Sequence, residues 1–427
     1  MSIEFDRVRL LWPDHLGLAR GKYLPKERAA GGTAHTINLF ALGFDREIYE
    51  HPGAMTTEGL PDMDAEYEPE EVRLGWEQNT AVVIPHLTRL GQPVMMAPRN
   101  VLIAELDKWS TIGYRPMVGL ELEAFLFEPD EDGWQPICTP GHYVCGTGMA
   151  VDPSGTVDEI MKVAHEVGLP LESVNSEFDN GQFEFTLTYA DALRAADEAF
   201  LFKVMAKEVA AKRGLLLTFM GKPINERGGS GLHINLSLSD GAGINALYDQ
   251  ESDDGLSQLA RDTIGGMLHH HVGMTALLAP TVNAYKRLQP GSLCGYWANW
   301  GYDHRGVSLR VPPSRGSGTR LEHRVADGSV TPHQAIAAVL AAARLGVENN
   351  YDLAPAEILD CIDNASTDIV VPSSLAEALD ALVADDALVK AFGPEFVDGF
   401  VTVKRAEWER YRFYTTDWET TEYLPFL

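Results

Sequence analysis

Cysteine is scarce in this chain and never closely paired. Cys138, Cys145, Cys294 and Cys361 are scattered without a C-x-x-C spacing, so neither a disulfide framework nor a thiolate zinc site organises the fold. Long apolar runs are lacking as well. No stretch approaches the ~18 consecutive apolar residues of a membrane span, and no membrane partner is expected. Positive charge is in short supply: 34 Lys+Arg stand against 62 Asp+Glu, a formal net charge of −28. Nucleic acids and anionic membranes both call for a basic face, so neither is an expected partner, and the acidic excess reads first as a source of solubility. The N-terminal segment has no basic stretch followed by an apolar one, so no secretory signal is read there and a reducing cytoplasm is the expected compartment. A Walker A loop is also missing. Residues 17–22 (GLARGK) have the wrong spacing, and Gly221-Lys222 is followed by proline rather than Ser or Thr.

What is present is ordinary globular composition, 45% hydrophobic and 22% charged over 427 residues, enough for a sizeable core and more than one domain. Residues 1–97 read as short strands and glycine- and proline-rich turns, with residues 81–84 as one strand. Past a boundary at 97/98 the texture changes. Residues 99–109 carry helical spacing, as do 158–167, 189–214, 255–278 and 331–349. Strand-like alternation lies between them. The expected class is α+β, with a small β-rich domain over 1–97 and a larger domain over 98–427. The run His269-His270-His271 is not expected to hold a metal, because adjacent side chains on a helix diverge by ~100°.

Four strand-like segments place unusual polar residues on one face. Successive strand side chains alternate, so positions i and i+2 share a face. Glu121 and Glu123 share one in residues 118–125 (VGLELEAF). Gln182, Glu184 and Thr186 do so in 182–187 (QFEFTL), His233, Asn235 and Ser237 in 232–238 (LHINLSL), and Arg320, Glu322 and Arg324 in 320–325 (RLEHRV). Any one of these could be a solvated sheet surface. Converging, they would make a cavity of carboxylates, one imidazole and several guanidiniums. Carboxylates at that density repel unless cations sit between them. Oxygen-rich ligation with one His suits Mg2+ or Mn2+ better than zinc. Guanidiniums beside such ions suit phosphate and carboxylate groups, the machinery of ATP chemistry. The glycines of residues 227–233 (RGGSGLH) read first as a tight turn.

In this order the segments resemble the glutamine synthetase superfamily. The motifs are 119–123 (GLELE), Glu177 followed by 181–184 (GQFE), 229–233 (GSGLH), 283–291 (NAYKRLQPG), Arg305 to Arg310 before Pro312, and 320–324 (RLEHR). The resemblance runs from Arg20 to about residue 353. It implies a β-grasp-like N-terminal domain and a catalytic domain built on an open antiparallel β-barrel. Glu123, Glu177 and Glu184 match the ligands of a first metal, and Glu121, His233 and Glu322 those of a second. Arg287 matches the arginine on the glutamate α-carboxylate, Arg324 the one near its γ-carboxylate, and Gly229 a backbone contact to substrate. Arg305, Arg310 and Arg320 match arginines around the nucleotide phosphates, while Asn235 and Ser237 match positions lining the ATP site. The implied reaction is two-step: ATP phosphorylates the γ-carboxylate of glutamate, and an uncharged amine then displaces phosphate. Magnesium or manganese, two or more ions per site, is the implied cofactor. Assembly into stacked rings, a dodecamer, is the implied quaternary state.

Two positions depart from a true glutamine synthetase. The glutamate that follows the Pro-Gly of the family's substrate loop, and helps deprotonate ammonium, is replaced by Leu293. The aspartate of an N-terminal loop is also not recognisable, with Asp45 a loose candidate. Leucine for glutamate removes a charge that a small cation needs and adds apolar surface. A primary amine carrying carbon is therefore the expected co-substrate, ethanolamine or a similar alkylamine first and a polyamine next, with Tyr296, Trp297 and Trp300 as candidate pocket walls. An ammonia-using glutamine synthetase and a non-catalytic relative are the alternatives. Asn350-Tyr351-Asp352-Leu353 resembles the stretch bearing the adenylylated tyrosine of bacterial glutamine synthetases.

Overall fold

The structure, a computed structural model, describes residues 4–131 and 133–427. Eight short strands open the chain: β1 (Arg7–Pro13), β2 (Ala19–Pro25), β3 (Thr33–Thr36), β4 (Asp62–Glu66), β5 (Arg73–Leu74), β6 (Thr80–Val83), β7 (His86–Arg89) and β8 (Gln92–Pro93). They form two four-stranded sheets, ordered β2-β1-β6-β5 and β3-β4-β7-β8. β1 and β6 run parallel. Val8, Leu10, Trp12, Phe40, Met63, Val83 and Met96 close a core made only of residues from this region.

The rest of the chain is built around one long strand. After α1 (Pro98–Thr111) come β9 (Arg115–Asp130), β10 (Gly133–Pro136), α2 (Thr156–Glu166), β11 (Leu171–Ser176), β12 (Gln182–Asp191), α3 (Ala192–Lys212), β13 (Leu216–Thr218) and β14 (Leu232–Ser239). α4 (Gln258–His269), α5 (His271–Leu278), β15 (Trp300–Tyr302), β16 (Leu309–Val311), β17 (Leu321–His323) and α6 (Pro332–Asn349) follow. The sheet order is β11-β12-β9-β14-β17-β16-β15, with β10 and β13 also paired to β9. The sheet stays open. It is antiparallel except between β15 and β16, which run parallel and so depart from the purely antiparallel expectation.

Register decides what each face carries. Glu123 lies opposite Glu184 across β9 and β12, His233 opposite Glu121 across β14 and β9, and Glu322 opposite both Asn235 and Arg310. A slip of one residue would invert every one of these side chains. The slip is blocked by the other face, where Leu120, Leu122, Phe183, Phe185, Leu232, Ile234, Leu236 and Leu321 are buried in the main core with α3 and α6. Asp191 caps α3, its carboxylate accepting the Arg194 N–H at 3.2 Å. α6 begins with Pro332, whose missing N–H is no loss in a first turn.

The helical stretch expected over 255–278 divides into α4 and α5 at His270. The chain ends in four further helices that the periodicity of the sequence left unread: α7 (Leu375–Ala384), α8 (Asp386–Phe392), α9 (Pro394–Arg412) and α10 (Asp417–Tyr423). Among the described residues no helix is long and apolar enough to cross a membrane.

α4 and α6 cross where two glycines meet. A Cβ on Gly266 would stand 2.6 Å from the Cα of Gly346, and one on Gly346 would stand 2.7 Å from the Cα of Gly266. Both obstacles are backbone, so the helices would have to separate. Gly266→Ala should therefore destabilise the protein by about 1–3 kcal/mol, the usual cost of overpacking, despite its better helix propensity. Thermal unfolding checks this, and an unchanged or raised midpoint would contradict the close crossing.

Candidate active site

The four polar faces do converge. His233, buried on β14, is the centre. Its Nδ1 lies 3.2 Å from Glu121 Oε2 and 3.8 Å from Glu322 Oε1, and its Nε2 lies 3.6 Å from Glu123 Oε1. Two groups of potential ligand atoms result, Glu121–His233–Glu322 and Glu123–Glu184–His233, with the atoms of each group within 4.8 Å of one another. The first is the second-metal set expected from sequence. The other differs from expectation: His233 closes it together with Glu123 and Glu184. Glu177 sits on the loop after β11, lining the same cavity but outside that tight group.

Guanidiniums frame the row. Glu322 accepts from Arg310 Nη1 at 2.6 Å and from Arg324 Nη1. Arg310 is held from its other side by Asp303 through Nε at 3.1 Å. Arg287 donates to the backbone carbonyls of Val325 (2.9 Å) and Arg324 (3.2 Å), and Arg324 Nη2 reaches the carbonyl of Leu293 at 3.4 Å. Asn235 donates to Glu121 at 3.0 Å and accepts from Arg320 Nε at 3.0 Å.

Cavities open on both sides of this row. One, of about 310 Å³, is lined by Glu123, Glu177, Glu184, Gly229, His233, Arg287, Leu293, Arg305 and Arg324. The other, of about 460 Å³, is lined by Glu121, Asn235, Ser237, Thr319 and Arg320. Two carboxylates on one strand, Glu121 and Glu123, thus face different chambers and form the divide between them.

Charge crowding has measurable consequences. Burial would raise Glu121, but the hydrogen bond and charge of His233 and the bond from Asn235 hold it at about 2. Burial and the Arg324 charge would lower His233, yet Glu121 and Glu123 raise it. Burial raises Glu177, helped by Glu123. Glu184 is pushed to about 7, first by burial and then by the charges of Glu121 and other neighbouring carboxylates.

The glycine run is there for close approach. None of Gly228, Gly229 and Gly231 has positive φ. A Cβ on Gly229 would stand 2.6 Å from the Gly221 carbonyl, and one on Gly231 would stand 2.5 Å from Arg287 Nη2 and 3.1 Å from His233 Nε2. Small residues here let Arg287 lie beside the imidazole.

Several expectations are corrected. Trp300 is in the main core, its indole donating to the Ala354 carbonyl at 2.8 Å. Trp297 packs with Val307 and Cys361, and Tyr296 packs against it. None of the three lines the cavity at Leu293, since the β15 region turns them inward. Asp45 is held by Tyr49 at 2.6 Å and by Arg410, outside that cavity. The three histidines do face separate partners: His269 stacks on Tyr351 with ring centres 3.8 Å apart, His270 bonds Asp385 at 2.7 Å, and His271 is buried. Sequence reading missed Phe178, Lys222 and Arg227 in the cavity wall and Asp303 behind Arg310. All stand on loops, where no periodicity marks them.

A model of the glutamine synthetase catalytic domain matches residues 95–423. The chain belongs to the glutamine synthetase family. It is a ligase that forms C–N bonds. Among its relatives is a glutamate–isopropylamine ligase of a Pseudomonas species, 32% identical and covering 99% of this chain and 96% of that protein. A glutamine synthetase of Halobacterium salinarum is 32% identical over 98% of this chain and 93% of its own length. A gamma-glutamylethanolamide synthetase of Streptomyces coelicolor is 32% identical over 97% and 92%. A solved structure described as a GmaS/ADP complex superposes with a TM-score of 0.86 at 30% identity, covering 99% of this chain and 97% of that one.

With no divalent cation bound, the raised Glu184 makes a directional prediction. Its folded-state value of about 7 lies above the 4.5 of a free carboxyl, so the folded protein holds that proton more tightly than the unfolded chain. Stability should fall as pH rises from 4.5 towards 7 and level off above it. Chelator-treated protein followed by thermal unfolding across that range should show the decline, and Glu184→Gln should flatten it. An equally steep decline in the variant would contradict the assignment to Glu184.

Proposed function

We propose that the protein joins the γ-carboxylate of glutamate to a small primary amine at the expense of ATP, ethanolamine or a similar alkylamine being favoured over a polyamine. The observation that carries this is Leu293. It stands in the wall of the cavity lined by Glu123, Glu177, Arg287 and Arg324, the glutamate-side cavity on this reading, and by resemblance it takes the place of the glutamate that serves ammonium. Its φ of 54° lies in the left-handed region, which leucine rarely adopts. Residue 293 is fixed by the Arg324 bond to its carbonyl and by Ser292 Oγ, which donates to the Arg287 carbonyl at 2.9 Å.

The donor set fits two Mg2+ or Mn2+ ions. It is oxygen-rich with a single imidazole, and the proton retained by Glu184 near neutrality marks where a positive charge is wanted. Glu123, Glu177 and Glu184 would hold one ion, and Glu121, His233 and Glu322 the other, with His233 within reach of both. Such ions would neutralise negative charge on the phosphates.

The remaining work falls to the chain. Asn235, Ser237 and Arg320 line the cavity taken as the nucleotide side, and Arg310, bonded to Glu322, is matched to the phosphates by resemblance. Arg287 and Gly229 hold glutamate, Arg324 steadies its γ-carboxylate, and Arg305, matched to the arginines around the phosphates, reaches the same cavity. A γ-carboxylate oxygen attacks the terminal phosphorus and ADP leaves. The amine nitrogen, uncharged, then attacks the acyl carbon, phosphate leaves, and the nitrogen gives up a proton. The carboxylate row between the cavities supports this order, because the phosphoryl group would cross it from the nucleotide side to the glutamate side. Water must be kept from the acyl phosphate. Assembly into rings of twelve and a division into domains at 97/98 belong to the same reading.

Phosphate release from ATP with glutamate, magnesium and a panel of ammonium, methylamine, ethanolamine, isopropylamine and putrescine tests it. An organic amine should outpace ammonium by at least about tenfold in kcat/KM, a difference of ~1.4 kcal/mol. Leu293→Glu should shift preference towards ammonium. Ammonium as the sole acceptor of the wild type would replace this reading with ordinary glutamine synthesis.

A further inference from the structure

The glutamate-side cavity is charged on nearly every side. Lys222, Arg227, Arg287, Arg305 and Arg324 line it along with Glu123, Glu177 and Glu184. Among the described residues only two large apolar side chains reach it, Phe178 and Leu293. Both forgo the burial that would stabilise them: Phe178 is 77% exposed and Leu293 45% exposed.

Neither stands on a loose loop. Glu177 N–H donates to the Gln182 carbonyl at 2.9 Å. Asp179 accepts from the Gly228 N–H and from Arg227 Nη1 at 3.3 Å. Gln182 Nε2 donates to the Gly229 carbonyl at 3.0 Å. The segment that presents Phe178 is thereby latched to the glycine run that lines the same cavity. The Leu293 loop is latched by Arg324 and Ser292.

We infer, resting on the reading above, that Phe178 is a specificity-determining residue for the amine. With Leu293 it forms a pair of apolar jaws that receive the substituent on the attacking nitrogen. The class selected is a primary amine with a short, uncharged alkyl group. A second ammonium on the substrate would meet guanidiniums and the Lys222 ammonium at this mouth, and Asp179, next to Phe178, is already engaged by Arg227 and Gly228. The jaws act on the acceptor alone, because glutamate and nucleotide are held by other groups.

The test compares wild type, Phe178→Ala and Phe178→Leu with methylamine, ethylamine, isopropylamine and putrescine at saturating glutamate and ATP. Each methylene lost from apolar contact is worth about fourfold in kcat/KM. Phe178→Ala should therefore lower the isopropylamine-to-methylamine ratio by about tenfold or more. KM for glutamate and ATP should stay within about twofold, and Phe178→Leu should recover most of the ratio. An amine ratio equal to the wild type's would overturn the inference. So would a uniform loss with every acceptor accompanied by a changed assembly on size-exclusion chromatography, which would make Phe178 a subunit contact. Failure of the underlying reading is a separate result: wild type that makes no amide with any organic amine.

Discussion

Like charges held side by side are the constraint on which the rest of the structure depends. Glu121 and Glu123 project from one face of β9, and β12 brings Glu184 directly across from Glu123. Left to itself this arrangement repels, and three compensations are visible. His233 takes a raised affinity for its proton from Glu121 and Glu123. Arg310 and Arg324 both clasp Glu322. Glu184, where burial and the charges of Glu121, Glu123 and Glu177 outweigh that of His233, answers by holding a proton to about pH 7. The strands cannot relax apart, because their opposite faces are the main hydrophobic core. Apolar burial under the sheet thus offsets electrostatic strain above it, and the strain is what would be relieved by cations.

The parts of this site that could be read from the sequence are those with a local period. Two-residue alternation put Glu121 with Glu123, His233 with Asn235, and Glu322 with Arg320 and Arg324, and the sheet keeps each pairing on one face. The motifs, through family resemblance, supplied what alternation could not: that four strands distant in sequence would meet. Loop residues carry neither signal. Nothing about Phe178, Asp179 or Asp303 in sequence shows that Asp179 latches a segment some fifty positions away or that Asp303 holds Arg310 from behind. The glycine run was legible as glycine but not for its reason, which lies in the Arg287 side chain packed against it. Aromatics misled for a related cause. A tryptophan suits a pocket wall and a core equally well, and only the turn of the chain at β15 sends Trp297 and Trp300 inward.

The division between strand and loop also explains why similarity alone leaves the acceptor open. Glutamine synthetases at 31–36% identity and amine ligases at 32% stand close together in their similarity to this chain. The candidate metal ligands are mostly on β9, β12, β14 and β17, where register binds each to its neighbours and any change disturbs several bonds at once. The two apolar residues at the cavity mouth, Phe178 and Leu293, sit on connections whose backbones are latched by side-chain and main-chain bonds that do not depend on the phenyl or isobutyl group. Such positions can change their side chain while keeping their geometry. On the proposed reading the rigid row would serve phosphoryl transfer, while the choice of nitrogen would fall to two side chains whose backbones the fold holds independently of them.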